Sequence, residues 1–225
     1  MKKYLKSILL TVGMAFFATS ANAQFYQIAN QLPSLIQPAL MGGLNYKGYV
    51  DVSYLAGVGS RKVDFVSIAT SQGFRYNSWF YMGVGLGVDI AMSHTNEGFG
   101  TGATRPGGGS YWQHGYNTTG VMIPVFTDFR FNVGKMTSPS FYADVRLGAS
   151  FLMGDKYLAV ADGFITNREY FYLRPSVGVR LPLKGSGKTA FDVGITYQLL
   201  TSNYWYNYSG NTTLNSLGAT VAFEW

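Results

Sequence analysis

Between Phe80 and Met92 the chain alternates without a break: Phe80, Met82, Val84, Leu86, Val88, Ile90 and Met92 share one parity, and Tyr81, Gly83, Gly85, Gly87, Asp89 and Ala91 share the other. Successive side chains of a strand point to opposite faces, whereas a helix would scatter this set around its axis. Large apolar side chains on one face and mostly glycine on the other describe a strand with an apolar medium outside and a crowded interior. Few folds accept such a strand.

The pattern recurs seven times. Val50, Val52, Tyr54, Ala56 and Val58 mark a first strand, and Val66, Ile68, Thr70, Phe74 and Tyr76 a second. After the third come Val121–Phe131, Phe141–Phe151, Phe171–Leu181, Phe191–Leu199 and Leu217–Trp225, each with apolar residues on odd numbers. These runs have the length of a tilted transmembrane strand, about 9 to 13 residues. The expected fold is therefore all-β: an eight-stranded antiparallel transmembrane β-barrel of up-and-down topology.

Charge placement agrees. Asp51, Arg75, Asp89, Asp128, Arg130, Asp144, Arg146, Arg174, Arg180, Asp192 and Glu224 fall within the eight runs, and all lie on the parity opposite the apolar set. A charge facing lipid costs about 2–4 kcal/mol at the midplane, which gives the bias its cause. Only 12% of the chain is charged, against about 25% in soluble domains. A soluble β-sandwich would turn polar residues outward, whereas here the charged face is the narrow, glycine-rich one. Gln72 and Asn215 break the outward apolar pattern and Pro175 interrupts the sixth strand, so these three are expected near a membrane edge or at a bulge.

The ends of the chain add a location. Lys2, Lys3 and Lys6, the apolar run Ile8–Phe17 and Ala21-Asn22-Ala23 have the form of a cleaved signal peptide over residues 1–23. The rival, an uncleaved anchor, needs a run of about 20 apolar residues. The remaining chain carries 14 basic and 11 acidic residues, a formal +3, and shows no basic stripe of the kind that binds nucleic acid. With no cysteine, disulfide frameworks and thiolate metal sites are excluded. Residues 24–45, with Ile28, Leu32, Leu35, Ile36, Ala39 and Leu40 interrupted by Pro33 and Pro38, read as a periplasmic arm or partial plug ahead of a barrel over 46–225.

Connections alternate short and long. Short ones lie around Asn77-Ser78, Val133–Ser140 and Pro182–Lys188; long ones cover Ser93–Thr118, Gly154–Glu169 and Thr201–Thr213, with Gly59–Lys62 the short exception. Short periplasmic turns and long outer loops are the asymmetry of outer-membrane barrels, which puts both termini in the periplasm. Phe74, Tyr76, Phe80, Phe129, Phe131, Phe141, Phe191, Phe223 and Trp225 gather at the short-turn ends as an aromatic girdle. The ending Leu217–Trp225, alternating and closed by Phe223 and Trp225, looks like the strand that the barrel assembly machinery recognises. From Tyr46 to Trp225 the chain resembles the outer-membrane protein β-barrel family, the small barrels of OmpA and OmpX type. That resemblance implies an outer-membrane location, with lipid, lipopolysaccharide and the assembly machinery as partners and no cofactor.

Chemistry is sparse. His94 and His114, with Ser93 and Glu97 nearby, permit a hydrolytic trio only if three-dimensional geometry unites them, and no metal site is expected. Gly83, Gly85 and Gly87 lack nucleotide-loop spacing; they are expected to make room for bulky side chains from across the lumen. Tyr111 and Trp112 in one loop, and Tyr204, Trp205 and Tyr206 in another, are candidate surface contacts for a glycan or protein ligand, or an outer interfacial girdle. Eight strands enclose a lumen that side chains just fill, and Tyr49, Phe65, Tyr81, Met122, Phe126, Tyr142 and Tyr172 point inward beside the charges. The expected role is thus a non-enzymatic barrel for envelope structure or surface interaction. The alternatives are a small pore or lateral-diffusion transporter, a lipid-modifying enzyme, or an accessory subunit of a secretion complex. Pairing symmetric about Thr137 would set Asp128 opposite Arg146 and Arg130 opposite Asp144, giving two crossed ion pairs.

Overall fold

The computed structural model describes residues 45–94, 116–154, 157–160, 163–165, 167–183, 188–202 and 212–225. Eight long strands carry the fold: β1 Asn45–Val58, β2 Val63–Arg75, β3 Phe80–Ser93, β5 Thr119–Val133, β6 Ser140–Leu152, β9 Glu169–Pro182, β10 Ala190–Ser202 and β11 Thr212–Glu224. They close into one antiparallel barrel in the order β1-β11-β10-β9-β6-β5-β3-β2. The expected fold class is the observed one. Three short strands in the connections, β4 Tyr116–Asn117, β7 Tyr157–Val160 and β8 Gly163–Ile165, form a separate small sheet.

Closure leaves two unlike ends. The strand ends that flank 76–79, 134–139 and 183–189, with Trp225, form a turn end; those that flank 59–62 and the three long connections form a loop end. Local chemistry accounts for the tight turns: the Asn77 side-chain oxygen accepts from the amides of Trp79 and Phe80 at 3.0 and 2.8 Å, the self-capping asparagine favours. Gly134, at φ 122°, supplies a left-handed position that other residues rarely adopt. At the seam the Gly48 amide donates to the Trp225 carbonyl at 3.1 Å, and the Trp225 amide donates back at 3.0 Å.

Parity holds through the wall. Outward Val52, Ile68, Leu86, Val177 and Ile195 are more than half exposed, whereas inward Tyr49, Phe65, Tyr81, Met122, Phe126, Tyr142 and Tyr172 are buried. Rings gather at the turn end as expected, with Tyr76 and Phe131 flanking Phe80, and Phe223 between Phe191 and Trp225. The strands are longer than the alternation indicated, and the added residues bring two outward charges, Asp64 and Glu169, both near the loop end.

Two expectations about irregular positions need correction. Pro175 sits mid-strand without a bulge: β9–β10 pairing skips the positions between Ser176–Thr196 and Leu173–Leu199 and resumes in the same register. Pro124 does the same between β3 and β5. Proline lacks the donor, so one rung is lost, but neighbouring rungs hold the count. Second, the inward glycines are not filled from across the lumen. A Cβ on Gly83 would fall 2.2 Å from the hydroxyl of Tyr81 on the same strand, and one on Gly85 2.4 Å from the ring of Phe126 on the adjacent strand. Aromatic rings lie flat over neighbouring glycines, the device that covers bare backbone in sheets. The outward Gln72 and Asn215 stand within three residues of a strand end, near the edges as expected, and their polar groups are partnered. Tyr46 donates to Gln72, Tyr197 donates to Asn215 at 2.7 Å, and Tyr54 donates to Asp64 at 2.8 Å. These three outward polar groups are each capped by an outward tyrosine hydroxyl, which removes the penalty of an unpaired polar atom in an apolar setting.

Candidate functional site

The lumen divides into a charged half toward the turn end and an apolar half toward the loop end. In the charged half, parity places Lys47, Arg75, Arg130, Arg146, Arg174 and Arg180 inward with Asp51, Asp89, Asp128, Asp144, Asp192 and Glu224, all buried. Six cations meet six carboxylates among the described residues, so the interior is neutral as a whole. Lys47 completes the balance and was not among the expected lumen residues. Gly48 follows it on the outward face, so the unbroken apolar alternation that reveals the wall starts only at Val50.

Glu224 is the hub nearest the turn end. Its carboxylate takes Lys47 Nζ at 2.9 Å, Arg75 Nη2 at 2.9 Å and Arg180 Nε at 2.6 Å, joining strands β1, β2 and β9 to β11. Arg180 also donates to the Met136 carbonyl at 2.8 Å and so fastens the β5–β6 turn. One layer further in, Arg130 reaches Asp192 at 2.9 Å, with its guanidinium 4.0 Å from the ring centre of Tyr142 and 4.4 Å from that of Tyr49. Cation–π contact of this kind strengthens when desolvated.

The expected register between β5 and β6 is the observed one: Asp128 faces Arg146 and Arg130 faces Asp144. The expected crossed ion pairs are not what it produces. Arg146 turns across the lumen to Asp51 at 2.7 Å and stands 3.6 Å from Asp144 and 3.9 Å from Asp128, while Arg130 takes Asp192 instead of Asp144. The lumen is narrow, and an arginine side chain is long enough to span it. Direct contact therefore goes to the opposite wall, and the cross-strand partner supplies only longer-range attraction. Arg174 donates to Ser67 at 2.9 Å and to Ser53, and its Nη2 lies 3.7 Å from Asp51.

Above this network lies a layer in which Gln198 donates to Asp89 at 3.4 Å across the lumen. Beyond it the interior turns apolar. All eight barrel strands contribute to one buried cluster, among them Leu55, Phe65, Ala91, Met122, Leu152, Tyr170, Leu200 and Leu214. The hairpin β7–β8 enters the same cluster with Leu158, Val160 and Ile165, each exposed by no more than 2%. Burying each of these is worth about 1.5–3 kcal/mol, so the hairpin is held firmly against the barrel interior.

The hydrolytic trio is separated as far as it is described. Ser93 has inward parity, whereas His94 stands 58% exposed with Nε2 2.8 Å from Asp64. Asp64 also accepts from the Gly57 amide at 2.8 Å. Glu97, His114 and the surface aromatics Tyr111, Trp112, Tyr204, Trp205 and Tyr206 lie outside the described residues, as do residues 1–44. Among the described residues no group of three metal-ligating side chains occurs.

No family model matches the chain and no curated protein matches it. Solved structures do. Neisserial surface protein A superposes with a TM-score of 0.51 at 11% identity, covering 80% of this chain and 95% of that one. The outer membrane enzyme PagL superposes at 0.49 with 10% identity, covering 77% and 97%. At 11% identity, what this chain shares with the Neisserial protein is the fold: a small closed β-barrel.

Proposed function

We propose that this chain is an integral outer-membrane protein of the small OmpA and OmpX type, exported with residues 1–23 as its signal and inserted with both termini periplasmic. Its lumen is closed, and it serves envelope structure or surface contact rather than catalysis or open conduction. The observation that carries this reading is the interior itself: six buried cations against six buried carboxylates at one end and a buried hairpin at the other. A barrel of eight strands filled in this way has no room for a water column. The outward apolar belt with its ring of aromatics supports insertion in lipid. Lipopolysaccharide and the barrel assembly machinery are the partners this location entails.

Planar-bilayer recording of the purified full chain tests the reading. We expect no steady current of porin size at moderate voltage. Stable large openings would replace it with a pore.

A second reading has one observation in its favour. The loop-end half of the lumen is apolar, where barrels of this class are ordinarily polar inside, and this suits passage of apolar solutes through the barrel wall. Uptake of such a solute into liposomes carrying the protein separates the two readings.

A further inference from the structure

We infer that a groove on the outer wall between β6 and β9, at the turn end, holds one acyl chain of an anionic phospholipid whose phosphate rests against Lys135. This rests on the lipid insertion proposed above and adds a specific bound partner to it.

The groove follows from residue size. On the outward face Phe141 of β6 stands opposite Val179 of β9 and opposite Val133 of β5, while Ala143 stands opposite Val177. Ala143 is the small member of this set, and Gly178, opposite Tyr142, has no side chain at all. The result is an open groove of about 410 Å³, bounded by the outward side chains just named, with Tyr142 and Gly178 as its floor. Val133 and Phe141 are each 69% exposed, more than any other large apolar side chain among the described residues. The wall leaves them without neighbours on one side. An alkyl chain laid in the groove supplies the missing dispersion contacts.

Charge selects the head. The β5–β6 turn lies at the turn-end mouth of the groove and is fastened there. The Ser138 amide donates to the Lys135 carbonyl at 3.3 Å, and Arg180 of β9 donates to the Met136 carbonyl at 2.8 Å. Lys135, exposed, is thereby held two residues beyond Val133. Lys188, also exposed, stands on the next turn along the wall, between β9 and β10. The outward acidic side chains among the described residues, Asp64 and Glu169, are both near the loop end. The rim beside the groove is thus cationic, and basic residues at a membrane surface attract anionic lipid. A second copy of the chain fits this rim poorly. A two-fold pair apposes like surfaces, so in one membrane it would bring lysine toward lysine at the same depth. An anionic lipid neutralises the rim instead.

Native mass spectrometry of the purified full chain, released from detergent with equal amounts of phosphatidylglycerol and phosphatidylethanolamine, tests the assignment. The parent should retain phosphatidylglycerol in preference to phosphatidylethanolamine. Lys135→Gln should lower that retention about fivefold, the worth of one basic residue at a membrane surface. Ala143→Phe fills the groove and should abolish it, and Ala143→Leu serves if that variant does not fold. Ala219→Phe, at an exposed outward alanine on β11, should leave retention unchanged. The heat-dependent gel shift of a closed barrel is read on every variant, so loss of the lipid is told apart from loss of the inserted fold. Equal retention of the two lipids overturns the proposal, and so does phosphatidylglycerol retention that survives Ala143→Phe. A lipid-free dimer that Ala143→Phe splits also overturns it, and gives the groove to a second copy.

Discussion

Arg146 shows how a residue's position in the wall and its choice of partner can differ. Its Cα faces Asp128, but its guanidinium lies 2.7 Å from Asp51 and 3.9 Å from Asp128. Attraction falls with distance, and hydrogen-bonded contact adds geometry that the longer approach lacks. Removing one partner of a buried pair leaves the other charge uncompensated, at about 3–5 kcal/mol. Arg146→Ala should therefore unfold at clearly lower urea than the parent. In double-mutant cycles its coupling to Asp51 should exceed its coupling to Asp128, because only the first pair is in contact. Equal coupling energies, measured by equilibrium unfolding in one detergent, would contradict the assignment of Asp51 as the principal partner.

At the scale of elements, the wall is built by close approach of backbones as much as by its rungs. A Cβ on Gly178 of β9 would fall 2.2 Å from the Val193 carbonyl oxygen and 2.6 Å from Gly194 Cα, both on β10. Backbone cannot step aside as a flexible side chain can, so Gly178→Ala should destabilise by about 1–3 kcal/mol. Tyr142, whose ring carbon is a further 2.8 Å contact, is not the main obstacle. Adding Tyr142→Ala should therefore fail to restore the unfolding midpoint, and full rescue would show that the ring, not the strand spacing, sets the limit. The strands themselves were legible from period-two alternation, because a wall with apolar surroundings exposes every second side chain to them. Even the β5–β6 register could be read, from opposite charges on a short turn. Partner choice could not be read, since Arg146–Asp51 and Arg130–Asp192 bridge distant parts of the chain. Lys47 and Asp64 were missed because glycine and turn residues blur the alternation at strand ends. The apolar half of the lumen did leave a trace in inward Leu55, Phe65, Met122, Leu152, Leu200 and Leu214, which all sit toward the loop ends of their strands. The hairpin β7–β8 left less, because its strands are 4 and 3 residues long, too short for any period to establish itself.

For the whole molecule the decisive event is closure, since an open sheet of eight strands would leave two unpaired edges, and lipid offers those edges no hydrogen bonds. The seam is where β11 meets β1, and two kinds of interaction lock it. One is the backbone ladder from Val58–Asn215 down to Tyr49–Glu224, finished by the reciprocal Gly48–Trp225 bonds. The other is the Glu224 carboxylate, which draws Lys47, Arg75 and Arg180 to one point from three other strands. These two can be separated experimentally. Glu224→Gln keeps every seam rung but strands three buried cations around a neutral amide; it should still close, with stability lowered by about 3–5 kcal/mol. Trp225→Asp keeps the carboxylate hub but sets a charge among the outward rings of Phe223 and its neighbours. Its cost should be smaller, because a charge near the edge of the apolar belt costs about 0–1 kcal/mol. Deleting Phe223–Trp225 removes the last rungs and the hub together, and should abolish closure. Refolding of the purified chain into detergent, followed by the heat-dependent shift in gel migration that marks a closed barrel, reads all three outcomes. A truncated chain that retains the shift would mean that neither the final rungs nor the Glu224 hub is needed to seal β11 against β1.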